Sequence, residues 1–269
     1  MIQPENDFCF CTLALGEKYR FLAQNLARDI AQYSPGTFFV ILTDRPQDFK
    51  DEQNILAFEH HQQGILKCFH DRRFVIAKSL SLFRVAIHID SDTKLVGNVP
   101  QYQWLPGLTS GEYRNIVKHA QNQRSPHRQM LIQALAAKLG VSLEVVNHVE
   151  ESLFVIARDG GKELEFIRQW DRIGRSLEMN GIHEGDGNAI GLAAAKVGWT
   201  IRSEGWEGLS QVREHIGITW NKQNLQPLTL SRVAKIRNFF ESQKRRIGYH
   251  YRLNKARLIA LQDFDFYYR

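Results

Sequence analysis

The chain has 269 residues, of which 43% are hydrophobic and 24% are charged, a composition typical of a globular protein. No window approaches the roughly 18 uninterrupted apolar residues of a membrane span. The first residues, MIQPENDFCF, lack the basic region leading into an apolar one that marks a signal peptide. The three cysteines, Cys9, Cys11 and Cys68, exclude a disulfide-rich scaffold and predict free thiols in a reducing cytoplasm.

Positive charge is concentrated at the C-terminus. The net charge is +6, and residues 232–269 contain ten lysines and arginines against three acidic residues. The other 231 residues therefore sum to −1, so the basic character belongs to this tail and not to the body.

The first half of the chain alternates strand-like and helix-like patterns. Short apolar runs rich in β-branched and aromatic residues predict strands at residues 8–15, 37–42, 55–58 and 85–89. Apolar residues three or four positions apart predict helices at 17–33 and 67–83. This alternation is typical of an α/β fold with a mostly parallel sheet flanked by helices, which binds ligands at the carboxyl edge of its strands.

The second half is less regular. Ser125 and Pro126 predict the start of a helix that stops at Gly140. Further along, the sequence predicts a strand at 153–157 and helices at 162–173, 187–196 and 228–244, the last capped by Thr229 or Ser231. We find no repeat and no clear linker, which favours one domain.

Two aspartates directly follow the strand at 85–89, in the sequence Asp90-Ser91-Asp92. At this spacing two carboxylates can present oxygens to one hard divalent cation, Mg²⁺ or Mn²⁺, that keeps open positions for a diphosphate. Such a cation neutralises charge on a leaving nucleoside diphosphate. The alternative is a turn in which one aspartate caps the next segment.

Three segments together resemble the nucleotide-diphospho-sugar glycosyltransferases of the GT-A type. They are CTLALGEKYRFLAQNLARDI, TFFVILTD and VAIHIDSD, and their order and spacing agree with that family over about residues 7–220. The resemblance implies a GT-A (Rossmann-like) domain at 1–230, in which 1–100 bind the nucleotide-sugar and 101–230 bind the acceptor. Residues 231–269 then form a basic helical extension.

The resemblance also implies which residues bind the donor. Tyr19 is expected to stack on the base, and Asp44 to contact the base or ribose. Lys78 is expected to face the donor, the alternative being a surface lysine of a helix. Asp90 is expected to contact the ribose or the metal. The full set expected to bind the nucleotide-sugar is Thr12, Leu13, Ala14, Gly16, Tyr19, Asp44, Lys78, Asp90 and Ser91.

Metal ligands follow from the same resemblance, in which a histidine from near the C-terminal end of the domain completes the metal shell. Asp92, Asp90 and His215 are the expected ligands, and Lys222 is expected to reach a phosphate, although the residues around His215 match no family pattern closely. The adjacent pair His60-His61 is not expected to bind one ion, because neighbours on a strand point to opposite faces.

A second acidic cluster precedes the helix predicted at 187–196. In the family, an acidic residue here often faces the acceptor and is the general base of inverting members. Glu184 and Asp186 are the two catalytic candidates, and the sequence does not choose between them. Helix capping by Asp186 is the alternative. Glu150 or Glu151 could bind sugar hydroxyls or be solvated.

The basic tail allows three interpretations: a segment that rests on an anionic membrane, a binder of single-stranded nucleic acid, or a helix that packs on the body.

We expect a metal-dependent glycosyltransferase that moves a sugar from a nucleotide-diphosphate sugar, by family frequency a UDP-sugar, to an acceptor hydroxyl. It would be cytoplasmic, with peripheral association at the inner membrane face and no nucleic-acid partner. The alternatives are a sugar nucleotidyltransferase, disfavoured by the single glycine of ALGEKYR, and a non-catalytic protein that binds nucleic acid or a membrane through the tail.

Overall fold

The centre of the molecule is a six-stranded sheet. The computed structural model describes residues 7–111, 114–122, 125–216 and 232–269. The sheet strands are β1 (Phe8–Ala14), β2 (Phe38–Thr43), β3 (Ile55–Glu59), β4 (Val85–Ile89), β6 (Gly107–Ser110) and β9 (Leu153–Ala157). Their order across the sheet is β3-β2-β1-β4-β9-β6. Strands β1 to β4 are parallel, and β9 runs antiparallel to both neighbours. The predicted α/β class with a mostly parallel sheet is confirmed.

Helices cover both faces of the sheet because side chains alternate along each strand. Helix α1 (Glu17–Tyr33) packs Leu26 and Ile30 on one face, against Phe10 and other even-numbered residues of β1. The opposite face carries Cys9 and Cys11 and packs against α2 (Arg72–Leu82), α4 (Pro126–Leu139), α5 (Lys162–Met179) and α6 (Asp186–Lys196).

Two short antiparallel ribbons flank the sheet. In the first, β5 (Thr93–Leu95) pairs with β10 (Arg213–His215). In the second, β7 (Arg114–Asn115) pairs with β8 (Asn147–His148). The remaining helices with described bounds are α3 (Ile116–Asn122), α7 (Trp206–Gln211), α8 (Arg232–Ala260) and α9 (Phe264–Tyr268).

The predicted ends of helix α4 are confirmed. The Ser125 hydroxyl accepts a hydrogen bond from the Arg128 backbone N–H at 3.4 Å, and Pro126 occupies the first turn. Gly140 ends the helix with a φ of +66°, a conformation that glycine adopts without steric cost.

Three helix boundaries differ from the sequence prediction. The helix predicted at 67–83 begins only at Arg72, because the Asp71 carboxylate accepts hydrogen bonds from the backbone N–H groups of Gln63 and Gly64 and so belongs to the preceding loop. Helix α5 continues past residue 173 to Met179, where Leu177 is still buried. Helix α8 continues past residue 244 to Ala260, since Ala256 and Ala260 pack on the body. Residues 228–231, with the predicted caps, lie outside the described part.

The three cysteines are free thiols, as predicted. Burial raises the pKa of the Cys11 thiol to about 12. Among the residues that the structure describes, no helix combines the length and the apolar character needed to cross a bilayer.

Candidate functional site

A cavity of about 390 Å³ opens at the carboxyl edge of β1 and β4. The parallel arrangement of these strands brings their ends, and the residues that follow them, to the same edge. The segment between β3 and α2 closes the other side. The lining residues are Leu13, Leu15, Tyr19, Gln62, Lys67, Cys68, Phe69, Arg72, His88, Asp90, Ser91 and Asp92.

Asp92 and His215 meet beside this cavity. The pairing of β5 with β10 places His215 opposite Thr93, and the backbone N–H of Ile216 donates to the Asp92 carbonyl at 2.9 Å. His215 Nδ1 then lies 3.7 Å from Asp92 Oδ1, and the two side chains are 49% and 21% exposed. One carboxylate and one imidazole are thus presented together with access to solvent.

Asp90 has a different environment, although it is only two residues away. Arg72 Nη2 donates to Asp90 Oδ1 at 2.7 Å, and His88 Nε2 lies 3.3 Å from the same oxygen. Burial alone would raise the pKa of the Asp90 carboxyl, but the positive charge of Arg72 and the contact with His88 outweigh it and hold that pKa well below its usual value. Asp90 is therefore a fixed negative charge.

The donor set of Asp92 and His215 fits a divalent cation that is shared with a ligand. Within the described ranges, no three histidine, cysteine, aspartate or glutamate side chains are grouped as a metal site. Mg²⁺ and Mn²⁺ are commonly held next to nucleotides by one or two protein ligands plus phosphate oxygens. Asp92 and His215 would supply these two ligands, whereas Asp90 Oδ1 is already engaged by Arg72.

Four of the nine residues predicted to bind a nucleotide-sugar line the cavity: Leu13, Tyr19, Asp90 and Ser91. Ala14 instead packs against α1, and Thr12, two residues earlier on β1, is buried on that same face. Strand alternation therefore brings only Leu13 of these three to the cavity.

The cavity lining does not include Gly16, Asp44 or Lys78, which have other contacts in the fold. Asp44 Oδ1 accepts from the Gly16 backbone N–H at 3.0 Å and from Arg20 Nη1 at 2.7 Å, which fixes the turn between β1 and α1. Lys78 Nζ lies 4.1 Å from the centre of the Phe58 ring and is not part of the cavity lining. The cationic residues that the structure brings to the cavity are Lys67 and Arg72.

A second cavity, of about 570 Å³, shares Phe69 with the first. It is lined by Phe69, Ser125, Arg128, Glu151, Glu184 and Gly185. Lys67 of the first cavity forms an ion pair with Glu184 of the second, so the two are adjacent. Of the predicted catalytic candidates, Glu184 is the exposed one.

Asp186 lies beneath the second cavity. Its burial corrects the expectation that its side chain faces an acceptor. Its side chain is fully buried and accepts from Arg72 Nη1 at 3.0 Å. It does not cap α6 through its side chain either, because Gly185 occupies the cap position. Burial raises the pKa of Asp186 well above its usual value, against the opposing charge of Arg72, and the nearby carboxylate of Glu151 raises it further.

Glu151 is the charged partner of Asp186. Its Oε1 accepts from the Gly187 backbone N–H at 3.0 Å, and His148 Nε2 lies 3.6 Å from it. Burial would raise the pKa of Glu151, but its hydrogen bonds with His148 and Asp186 and the charge of Arg72 lower it to about 2. Of the two carboxyls, the buried Asp186 is therefore the one that favours the protonated form, and Glu151, which lines the second cavity, is the one that favours the ionised form.

The other residues singled out from the sequence are accounted for separately. Glu150 lies 3.3 Å from Arg213 at the base of β10. His60 Nε2 lies 3.0 Å from Asp71 Oδ2 and His61 Nε2 lies 3.3 Å from Glu59 Oε1, so the two histidines have different partners. Both follow the end of β3 and do not lie on a strand. Lys222 lies outside the described residues.

No protein-family model matches the chain, and no curated protein sequence is significantly similar to it.

Proposed function

We propose that the protein is a glycosyltransferase of the GT-A type, which uses a divalent cation to move a sugar from a nucleoside diphosphate sugar to an acceptor hydroxyl. The observation that carries the proposal is the pairing of β5 with β10, which sets His215 beside Asp92 at a cavity on the carboxyl edge of the sheet. That edge is the usual ligand site of an open α/β sheet.

The first cavity has the chemistry of a donor site. Leu13, Leu15 and Tyr19 offer an apolar and aromatic wall for a nucleobase, and Lys67 offers a positive charge for a phosphate. Asp92 and His215 would hold the cation, which when bound neutralises the charge of the leaving diphosphate.

Arg72 and Asp90 contribute rigidity at the centre of the site. Arg72 is almost entirely buried and bonds to carboxylates of both Asp90 and Asp186. Because Asp90 keeps its charge and its orientation, it suits a hydrogen bond from a ribose or sugar hydroxyl of the donor. A preorganised acceptor of this kind needs no rearrangement when the ligand binds.

The second cavity is the acceptor site in this proposal. Glu151 and Glu184 are the two carboxylates that line it. A general base works best when its pKa lies near the operating pH. Glu151, whose pKa is lowered to about 2, is therefore assigned to binding an acceptor hydroxyl. Glu184, the more exposed carboxylate of the lining, is assigned to taking its proton.

Ligand-induced thermal stabilisation tests the donor site. We expect one nucleoside diphosphate among UDP, GDP, ADP and CDP to stabilise the full chain only with Mn²⁺ or Mg²⁺. Saturation at about 100 times the dissociation constant contributes about 2.7 kcal/mol. Asp92→Asn and His215→Ala should lose this shift. Glu214→Gln is the matched control, because Glu214 is on the same strand and pairs with the exposed Lys94. An unchanged shift in Asp92→Asn, or no shift with any nucleotide, contradicts the proposal.

Product analysis separates transfer from nucleotidyl chemistry. A glycosyltransferase releases the nucleoside diphosphate as it passes the sugar to the acceptor hydroxyl or, when no acceptor is supplied, to water. A sugar nucleotidyltransferase instead forms a nucleoside triphosphate and a sugar phosphate when pyrophosphate is supplied. Chromatography of the nucleotide products after incubation with the stabilising base and cation distinguishes the two reactions.

A further inference from the structure

Helix α8 carries apolar residues on two opposite faces. Ala256 and Ala260 are buried against the body. Ile247, Tyr251 and Leu258 are 69%, 68% and 66% exposed. At about 100° per residue these three positions lie within about 40° of one another and roughly opposite the two alanines. We call the set Ile247, Tyr251 and Leu258 the outer stripe.

The inner face of α8 is fixed to the body. Arg252 Nε donates to the Ile65 carbonyl at 3.1 Å, and Lys255 Nζ donates to Gln63 Oε1 at 2.7 Å. Beyond the helix, Asp263 lies 2.7 Å from Arg172 of α5. These contacts hold the outer stripe away from the body, so packing against the residues that the structure describes does not account for it.

Cations flank the outer stripe on both sides. Helix α8 contains nine lysines and arginines and one acidic residue, Glu241. At about 100° per residue, the exposed Lys244 lies at one border of the stripe, and the exposed Arg246 and Arg257 lie on its other side. An apolar stripe bordered by basic side chains matches the surface of an anionic bilayer, in which acyl chains lie just below negative headgroups.

We propose that the outer face of α8 binds an anionic lipid membrane, with the outer stripe inserted at the boundary of headgroups and acyl chains and the cations at the headgroup phosphates. A membrane fits better than a single-stranded nucleic acid, because Ile247 and Leu258 are aliphatic and offer bases no ring to stack on. The helix lies parallel to the membrane plane. The inference does not depend on the proposed transfer reaction.

Co-sedimentation of the full chain with vesicles tests this surface. We expect binding to phosphatidylcholine vesicles that contain about 30% phosphatidylglycerol, weak binding to phosphatidylcholine alone, and loss of binding when salt rises from about 0.1 to about 0.5 M. Ile247→Asn with Leu258→Asn should lower the partition coefficient at least about tenfold. Lys244→Gln with Arg257→Gln should lower it by a similar factor, since each basic residue near the surface contributes about fivefold.

The matched control removes equally exposed apolar side chains from other parts of the surface. Leu164→Asn with Val145→Asn should bind vesicles as the wild type does, because these residues are 68% and 69% exposed and lie outside α8. Circular dichroism melting of each variant establishes that it is folded. The proposal is overturned if the wild type ignores anionic vesicles at low salt, or if the outer-stripe variant partitions like the control. It is equally overturned if the α8 substitutions abolish binding to a labelled single-stranded RNA and leave vesicle binding unchanged.

Discussion

Glutamine in place of Glu178 is expected to stabilise the protein above neutral pH. Glu178 lies in the last turn of α5 and is only 6% exposed. Its Oε1 has no hydrogen-bond partner among the described residues. Burial raises the pKa of its carboxyl to about 7, with Arg73 opposing and Asp71 adding to the rise. The C-terminal end of a helix also disfavours negative charge.

The direction of the pH dependence follows from the two states of this carboxyl. Below its usual pKa of 4.5 the group is neutral in both the folded and the unfolded chain, so burial of its charge costs nothing. Between pH 4.5 and about 7 the unfolded chain ionises first, so stability falls as the pH rises. Above about pH 7 the carboxyl is ionised in both states. Burying its charge then lowers the free energy of unfolding by about 3 kcal/mol, the value for a pKa difference of this size. Glu178→Gln stays neutral and lacks this loss.

Urea denaturation, followed by circular dichroism from pH 4.5 to 8.5, measures the effect. The free energy of unfolding of Glu178→Gln minus that of the wild type should grow by about 3 kcal/mol across this range. Any effect of the glutamine amide on packing is the same at every pH, so the change of this difference with pH measures the ionisation of Glu178 alone. Glu165→Gln on the same helix is the control. Glu165 Oε2 lies 2.7 Å from Arg168 Nε, and hydrogen bonds from Arg168 lower the pKa of Glu165. Loss of the Glu165 charge is therefore expected to destabilise the protein slightly. Parallel pH curves for Glu178→Gln and the wild type would refute the reasoning.

Three further substitutions probe the fold around the site. Arg72→Met should cost about 3–5 kcal/mol in urea denaturation, because it leaves the Asp90 carboxylate without its cation and the buried Asp186 without its hydrogen-bond donor. A loss below about 1 kcal/mol would contradict this role of Arg72. Gly191→Ala should cost about 1–3 kcal/mol and lower the melting temperature, since a Cβ there would overlap the Asn147 carbonyl oxygen. Ser125→Ala should cost about 1 kcal/mol through loss of the helix cap, and an unchanged stability would assign no energetic role to that hydrogen bond.

The sequence predicted those parts of the fold that depend on local patterns. The alternating elements up to β4, the caps of α4 and the placement of the Asp90-Ser91-Asp92 segment at the carboxyl edge follow from periodicity and from residues such as Ser125 and Gly140. The antiparallel direction of β9 was not predicted, because an isolated apolar strand carries no signal for its direction.

The site was harder to predict because its contacts are distant in sequence. Arg72 reads as an ordinary helix residue, and its role appears only when Asp186 packs against it. The two carboxylates Glu151 and Asp186 are similar in sequence terms, but hydrogen bonds and the charge of Arg72 lower the pKa of Glu151, whereas burial raises the pKa of Asp186.

The long-range contacts of the site have a consequence for synthesis on the ribosome. Lys67 and Glu184 are 117 residues apart, and Arg72 and Asp186 are 114 apart. His215 follows Asp92 by a similar interval. A growing chain therefore contains Lys67, Arg72 and Asp92 long before Glu184, Asp186 and His215 have been made. Closing such long loops is entropically unfavourable until the later segments dock. A nascent chain that stops before residue 180 carries the lining of the first cavity without these three partners, so the complete site should form only after residue 215 has been made.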